Sequence, residues 1–413
     1  MRIKRKIFYV LTIFFILSSN LSFAAEPNVD STAAILVEES TGKILYEKNA
    51  YEKMYPASTT KILTAILVLE NCDLDEMATV SHNAVYSLPS GYVTAPLIEG
   101  EEISVRDLMY ALMLKSANDA AIVLAEHVGG SVEGFSDMMN QKAIEIGCKN
   151  THFINPNGMH DDNHYTTAYD LYIMANYAMK NETFRKYVTT VTYTLPATNK
   201  YSKNDRICLS TNDFLKTNSK YYNKNVIGIK TGTTTEAKNC LVSAAEKDGV
   251  ELISVVLHAG TNSQGLSARY VDTQAMFDYG FDDFDYLNIV EENNVVQNIE
   301  IENGKKDSKS LDLIAKDTLT GYINTETNLS EITPEIELND YIEAPIQSGD
   351  VLGKATYTVD NIEYTTNLIA SHDVEKKIDV AIFILIGGIL IFIFGFVIFV
   401  KSFKKSKRKK IYR

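Results

Sequence analysis

Cysteine is scarce in this sequence, and what there is does not cluster. The four, Cys72, Cys148, Cys208 and Cys240, lie far apart in 413 residues, and no Cys-x-x-Cys pair occurs. That spacing argues against a metal cluster. The density is also too low for a disulfide-built domain, so buried thiols are expected, although three pairings remain formally open to an exported chain. Internal repeats and low-complexity segments are lacking too, which excludes a solenoid or an array. Acidic residues are missing from both ends: residues 1–25 and 401–413 contain no Asp or Glu. The chain carries 53 acids against 40 bases; four bases fall in the first stretch and eight in the last, so the part between holds 53 acids against 28 bases, a net charge of −25. A surface of that sign excludes nucleic acid as a partner.

What is present divides the chain into segments. Arg2, Lys4, Arg5 and Lys6, the apolar run Ile7 to Leu17 and the small residues around Ser22-Phe23-Ala24-Ala25 read as a secretory signal, residues 1–25, cleaved after Ala24 or Ala25. Val380 to Val400 is an uncharged, mostly apolar run of 21 residues. As a helix it measures roughly 32 Å, the thickness of a bilayer core, so 380–400 is expected to span a membrane once. Lys401, Lys404, Lys405, Lys407, Arg408, Lys409, Lys410 and Arg413 follow it. Positive charge is retained on the cytoplasmic side, so residues 26–379 are expected to lie outside, with 401–413 as a basic cytoplasmic tail.

With 45% hydrophobic and 23% charged residues the remainder is globular in composition, long enough for two or three domains. Ala34 to Glu38 and Lys43 to Glu47, separated by Glu39-Ser40-Thr41-Gly42, predict a hairpin. Ser104-Val105-Arg106-Asp107 reads as a capping box, opening a helix that stops near Lys115. Further helices are expected over Ala120 to Val128, Val132 to Ile146 and Thr167 to Met179. Strands follow at Val226 to Thr233, Cys240 to Ala244 and Glu251 to His258. Strands at both ends with helices between them indicate an α+β domain, 26–285, whose terminal strands share one sheet. Short strand-like runs with turns at Asn303-Gly304 and Ser348-Gly349-Asp350 indicate a small β domain, 286–371, joined to the membrane run by a linker at 372–379.

Pro56-Ala57-Ser58-Thr59-Thr60-Lys61 precedes an apolar run with helical spacing, Ile62 to Leu69. Ser58 reads as a nucleophile opening a buried helix. Lys61, just under a turn later, shares its face, so its amine reaches the hydroxyl. Burial, the positive end of the helix and a second cation would keep that amine neutral and able to take the serine proton. Two further motifs stand with it: Ser116-Ala117-Asn118 between helices and Lys230-Thr231-Gly232 on a strand. Acyl transfer needs a nucleophile, a base, a proton relay and donors for an oxyanion and a carboxylate, and these residues fill each role.

Ser-x-x-Lys, Ser-x-Asn and Lys-Thr-Gly in this order resemble the penicillin-binding serine acyltransferases, for which this motif set is known. More narrowly, Tyr55 to Lys61, Leu114 to Ala121, Asn155 through His160 to Asp170, and Gly228 to Gly232 resemble serine-type D-Ala-D-Ala carboxypeptidases, over about residues 29–371. The resemblance implies a β-lactamase/transpeptidase-like catalytic domain with an antiparallel sheet and helices, needing no cofactor or metal. Its substrates would be peptidoglycan stem peptides and its inhibitors β-lactams. It also implies roles: Ser58 as nucleophile, Lys61 as base and Ser116 as proton relay with Lys230. Asn118 would hold the peptide backbone, and the N–H groups of Ser58 and Thr233 the oxyanion. Lys230, Thr231 and Arg269 would hold the terminal carboxylate, while Gly232 lets the substrate approach the strand. Arg269 reads equally as a surface arginine. Thr233 departs from the family, which often carries a bulkier His or Tyr there.

Three rivals remain at this stage. A class A β-lactamase needs a Glu for its deacylating water, commonly in Glu-x-x-Leu-Asn, and no such segment lies between Asn118 and Lys230. A metallopeptidase would use His160 and His164, four apart beside carboxylates, but in a loop. A membrane-tethered β-lactam receptor would signal through 380–400, although the short tail offers no signalling domain.

Overall fold

The computed structural model describes residues 26–307 and 309–409, with side chains at all but 403 and 405–409. The expected signal at 1–25 and the last residues of the tail lie outside the described residues. Two compact units emerge: one runs to Asp285 and takes in Asn324–Glu326, and the other holds Tyr286–Ile323 and the chain from Thr327 onward.

The first unit is built on a five-stranded antiparallel sheet in the order Ile44–Lys48, Ala33–Glu38, Val250–Ala259, Lys238–Lys247, Val226–Thr234. The N-terminal hairpin thus joins the late strands, Ile35 facing Val255 and Val37 facing Ile253, as the strand–helix–strand pattern predicts. Ala33–Glu38 is buried along its whole length because both faces are covered. Ala33, Ile35 and Val37 belong to the main core with the helices; Leu36 and Leu252 lie against Gly280 of the helix Ala268–Asp282.

At the centre of that core lies the helix Lys61–Asn71, buried continuously from Lys61 to Val68. Ile62, Leu63, Ile66, Leu67 and Val68 each contribute roughly 1.5–3 kcal/mol of burial. Around it pack Val105–Met113, Asn118–Gly129, Val132–Glu145 and Ala168–Met179. The capping box is present: Asp107 N–H donates to Ser104 Oγ at 3.1 Å. The α-helix begins three residues later than Ser58. Ala57–Thr60 forms a 3-10 turn, in which Thr59 and Thr60 hydroxyls donate to Pro56 O and Ala57 O at 2.8 and 2.9 Å. These local bonds compete with a regular helix start.

One hairpin, Thr192–Leu195 with Arg206–Leu209, is absent from the sequence reading. A buried ion pair holds it, Arg206 Nη2 to Glu101 Oε1 at 2.6 Å and Nη1 to Oε2 at 3.1 Å, and no local pattern announces a contact between residues so far apart. All four cysteines are free thiols, as expected; Cys148, Cys208 and Cys240 are buried, and Cys72 is partly exposed.

The second unit is all-β up to its terminal helix, with a five-stranded sheet in the order Val295–Glu300, Ser310–Ala315, Ile362–Ala370, Val351–Val359, Glu335–Leu338. Asp360 and Asn361, both at positive φ, turn its tightest hairpin. Leu311, Leu313, Ala355, Tyr357 and Leu368 fill its core. The helix Val380–Lys409 follows, and its Val380–Ser402 portion has a mean hydropathy of 3.1 and no burial.

Candidate active site

The 3-10 turn presents Ser58, half-exposed, above Lys61, which is 0% exposed at the head of the core helix. Ala57 adopts a left-handed φ of 48°, a conformation that costs an alanine on the order of 1 kcal/mol and bends the chain so that Ser58 faces out. The turn is braced from two sides. A Cβ on Gly158, itself at φ +80°, would lie 1.8 Å from Ala57 O, so the loop Asn155–Gly158 can sit here only with glycine. A Cβ on Gly232 would lie 2.9 Å from Ser58 N and Pro56 O. The demand for glycine in Lys230-Thr231-Gly232 therefore comes from the turn at Ser58 itself, which presses on this strand.

Lys61 Nζ touches three oxygens: Ser58 Oγ at 2.9 Å, Asn118 Oδ1 at 2.9 Å and Asn157 O at 2.6 Å. Burial pushes its pKa well below the ordinary lysine value, and the charge of Lys230 pushes the same way, against a pull from Asp119. A neutral amine would have two N–H donors and one lone pair; with Asn118 Oδ1 and Asn157 O taking the donors, that form would turn its lone pair to the Ser58 hydroxyl. No signal in the sequence singles out Asn157, although its loop is among the segments that carry the resemblance.

Asn118 opens the helix Asn118–Gly129, and its Nδ2 and backbone N–H both donate to Val93 O, at 3.0 and 2.9 Å. Beside it Asp119 accepts N–H bonds from Ala95 and Leu97, pinning the loop that carries Tyr92 and Val93. Burial raises its pKa while those N–H donors oppose the rise. Ser116 precedes the helix at φ 61°. Ser58, Ser116, Asn118, Asn157, Thr233 and Glu236 all line one open cavity of about 560 Å³.

Lys230, Thr231 and Gly232 lie on Val226–Thr234, which among the described residues pairs only with Lys238–Lys247 and so forms an edge of the sheet. Lys230 is buried and donates to Thr231 O at 2.9 Å. Burial, reinforced by the charge of Arg269, lowers its pKa to about 7. Thr231 Oγ1 is 2.6 Å from Thr211 Oγ1, a contact that no sequence signal announces. Arg269, near the start of Ala268–Asp282, is not a free surface arginine: its Nη1 donates to Thr233 Oγ1 at 3.1 Å, and its Nε is buried without a partner. Thr233 Oγ1 in turn donates toward Gly232 O at 2.7 Å. Ser58 and Asn118 thus both contact Lys61, and Ser116 and Thr233 line the same cavity as Ser58 and Asn118. Lys230, Thr231 and Gly232 precede Thr233 on its strand while Arg269 is bonded to it, all four outside the residues that line the cavity.

The histidine pair fails as a metal site. Ile154 N–H donates to His164 Nδ1 at 3.1 Å, and Nε2 lies 2.8 Å from Thr60 Oγ1, so both nitrogens are engaged. Burial lowers the His164 pKa to about 3, which keeps it a neutral brace for the turn that carries Ser58. His160 instead packs edge-on against Tyr55 at the cavity rim. Among the residues lining the cavity the one carboxylate is Glu236.

Comparison with known proteins covers nearly all of this architecture. Residues 20–261 match the family described as D-alanyl-D-alanine carboxypeptidase, and residues 284–376 match the C-terminal domain of penicillin-binding protein 5. The D-alanyl-D-alanine carboxypeptidase DacF of Bacillus subtilis is 32% identical over 351 residues, 84% of this chain and 86% of its own. That of Streptomyces sp. K15 is 36% identical over 62% of this chain and 89% of its own. Among solved structures, penicillin-binding protein 5 from Haemophilus influenzae superposes with a TM-score of 0.63 at 27% identity, over 86% of this chain and 100% of the other. The Streptomyces K15 DD-transpeptidase does so with a TM-score of 0.57 at 35% identity, over 63% and 100%.

Proposed function

Since the chain belongs to the D-alanyl-D-alanine carboxypeptidase family and is a serine-type enzyme of that class, we propose that Ser58 is its nucleophile and that Lys61 is the base that activates it. The observation that carries this reading is the 2.9 Å contact between Lys61 Nζ and Ser58 Oγ, with the amine buried and its other hydrogens committed.

The Ser58 hydroxyl passes its proton to neutral Lys61 as Oγ attacks the carbonyl between the two terminal D-alanines of a peptidoglycan stem peptide. The N–H groups of Ser58 and Thr233 receive the oxyanion. Collapse expels D-Ala, whose nitrogen takes the proton that Lys61 received by way of Ser116 and Lys230. Water then hydrolyses the Ser58 ester, regenerating the hydroxyl and freeing the shortened peptide. The peptide lies extended along the open edge of Val226–Thr234, held by Asn118. Its terminal carboxylate meets Lys230, Thr231 and Arg269; neither cation has a carboxylate partner among the described residues, which supports the assignment. β-Lactams acylate the same serine. The one carboxylate lining the cavity, Glu236, is not among the hydrogen-bond partners of Ser58, so the adduct is expected to hydrolyse slowly, which favours a penicillin-binding enzyme over a β-lactamase.

The acidic exported part, the apolar helix Val380–Ser402 and the basic tail support a location on the outer face of a membrane, anchored at the C-terminus. The β domain shows no catalytic constellation among its described residues, and we assign it the role of a spacer or docking module.

Intact mass with benzylpenicillin, followed over time, tests the assignment alongside Ser58→Ala. A persistent adduct on the wild type, absent from the variant, together with D-Ala release from a peptide ending in D-Ala-D-Ala, is the expected result. An adduct on both proteins, or rapid drug turnover, would overturn it.

A further inference from the structure

Cys72, Glu76 and His127 come together from two separate stretches of the chain. Cys72 caps the C-terminus of Lys61–Asn71, its N–H donating to Val68 O. Glu76 lies in the turn that follows, and His127 in the last turn of Asn118–Gly129. One sulfur, one carboxylate oxygen and one ring nitrogen from these residues all lie within 4.8 Å of one another. His127 Nε2 is 3.1 Å from Glu76 Oε2. We propose that these three side chains bind a divalent transition-metal ion of the Zn²⁺ class, which staples the far ends of the two helices whose near ends are Lys61 and Asn118.

The geometry suits such an ion. With metal–ligand bonds of about 2.0–2.3 Å, the ligand atoms of a tetrahedral site sit roughly 3.3–3.8 Å apart, so small side-chain rotations close the set. The second oxygen of Glu76 accepts the Asp73 N–H at 2.7 Å, which orients the carboxylate as outer partners do in metal sites. A thiolate and an imidazole select Zn²⁺ and its neighbours and reject Mg²⁺ and Ca²⁺, which take oxygen. His127 also borders an open cavity of about 500 Å³ with Met77, Ser81, Asn83 and Glu126, a route for the ion and room for a water as fourth ligand. On binding, the Cys72 thiol releases its proton to solvent and the sulfur's lone pair forms the bond; no redox partner is needed. A plain His127–Glu76 ion pair accounts for two of the residues but leaves the adjoining thiol unexplained. The sequence does not announce this site, because Cys72 and Glu76 are four residues apart but His127 comes from 51 residues further along.

The test uses the full chain in detergent, stripped with a chelator and dialysed against ZnCl₂, with MgCl₂ as control. The expected result is one zinc per chain and a higher midpoint of thermal unfolding, with no response to magnesium. Cys72→Ser and His127→Gln should each weaken zinc binding by about tenfold or more and abolish the thermal shift. Acylation by labelled benzylpenicillin, read on the same samples, reports that the variants are folded. Should either variant fail that control, Co²⁺ substitution in the wild type replaces it, since a sulfur-to-cobalt charge-transfer band requires Cys72 as a ligand. No zinc retained by the wild type, retention unchanged in both variants, or cobalt bound without the band would each overturn the site.

Discussion

Lys61 Nζ donates to Asn118 Oδ1 at 2.9 Å, so the first residues of two core helices meet head to head beside Ser58. The amide is a neutral acceptor, and it orients the amine without stabilising its charged form as a carboxylate would. That difference matters because the amine must be unprotonated to serve as base, and burial with Lys230 nearby depresses its pKa.

Acylation should therefore depend on pH with a definite sign. It is present above the lowered pKa of Lys61 and lost as pH falls through it, with the midpoint well below 10.5. Asn118→Asp places a negative charge beside the amine and raises that pKa, so the same limb should move to higher pH and the rate at neutral pH should fall by about tenfold or more. Stopped-flow acylation by a chromogenic β-lactam across pH reads both. An unmoved limb in Asn118→Asp would mean that another group sets it.

Lys230 carries a stability prediction. Its folded pKa of about 7 is depressed from 10.5, so between those values the unfolded chain binds more protons than the folded one. The cost of burying this amine is full below about pH 7 and declines as pH rises toward 10.5. Lys230→Met removes the cost, so its stability advantage over the wild type should be largest near neutrality and shrink on the alkaline side. Denaturant midpoints of the two proteins at several pH values measure this; an advantage independent of pH would contradict it.

Gly158→Ala tests the bracing of the nucleophile turn. The new methyl group would need a position 1.8 Å from Ala57 O, at a φ of +80°. Strain and displacement together should cost at least about 2 kcal/mol and slow acylation of Ser58, because the turn that aims it must move. Unfolding midpoint and acylation rate, taken on the same variant, give the answer; normal values for both would show that the loop yields freely.

The parts of this molecule legible in the sequence are those with short-range causes. The apolar run after Lys61, the capping box at Ser104 and the β-rich stretches at both ends of the catalytic unit each follow from periodicity or turn chemistry, and the structure places them where those rules predict. The motifs of the active site are legible for a different reason: each is a few residues long, and their order along the chain is distinctive. What escapes is long-range and polar. Glu101 with Arg206, Thr211 with Thr231, and His164 with Thr60 are pairs separated by 20 to 105 residues, and no pattern around either member names the other. The glycine of Lys230-Thr231-Gly232 was legible as a residue but not as a cause, because the constraint on it comes from the turn at Ser58.

Arg269 remains to be separated from a purely structural role, since it both holds Thr233 and stands near Lys230 without an anion of its own among the described residues. If its charge receives the substrate's terminal carboxylate, Arg269→Ala should raise KM for a peptide ending in D-Ala-D-Ala by about tenfold or more and leave kcat within a fewfold. Arg269→Lys should recover part of that loss, because the charge returns without the fork of donors. The decisive control is the same peptide with its C-terminus amidated. Against that ligand, wild type and Arg269→Ala should bind equally weakly, because the group that Arg269 recognises is gone. If the variant is impaired to the same degree with carboxylate and amide, Arg269 acts only by fixing the Thr233 strand end, and the carboxylate belongs to Lys230 and Thr231 alone.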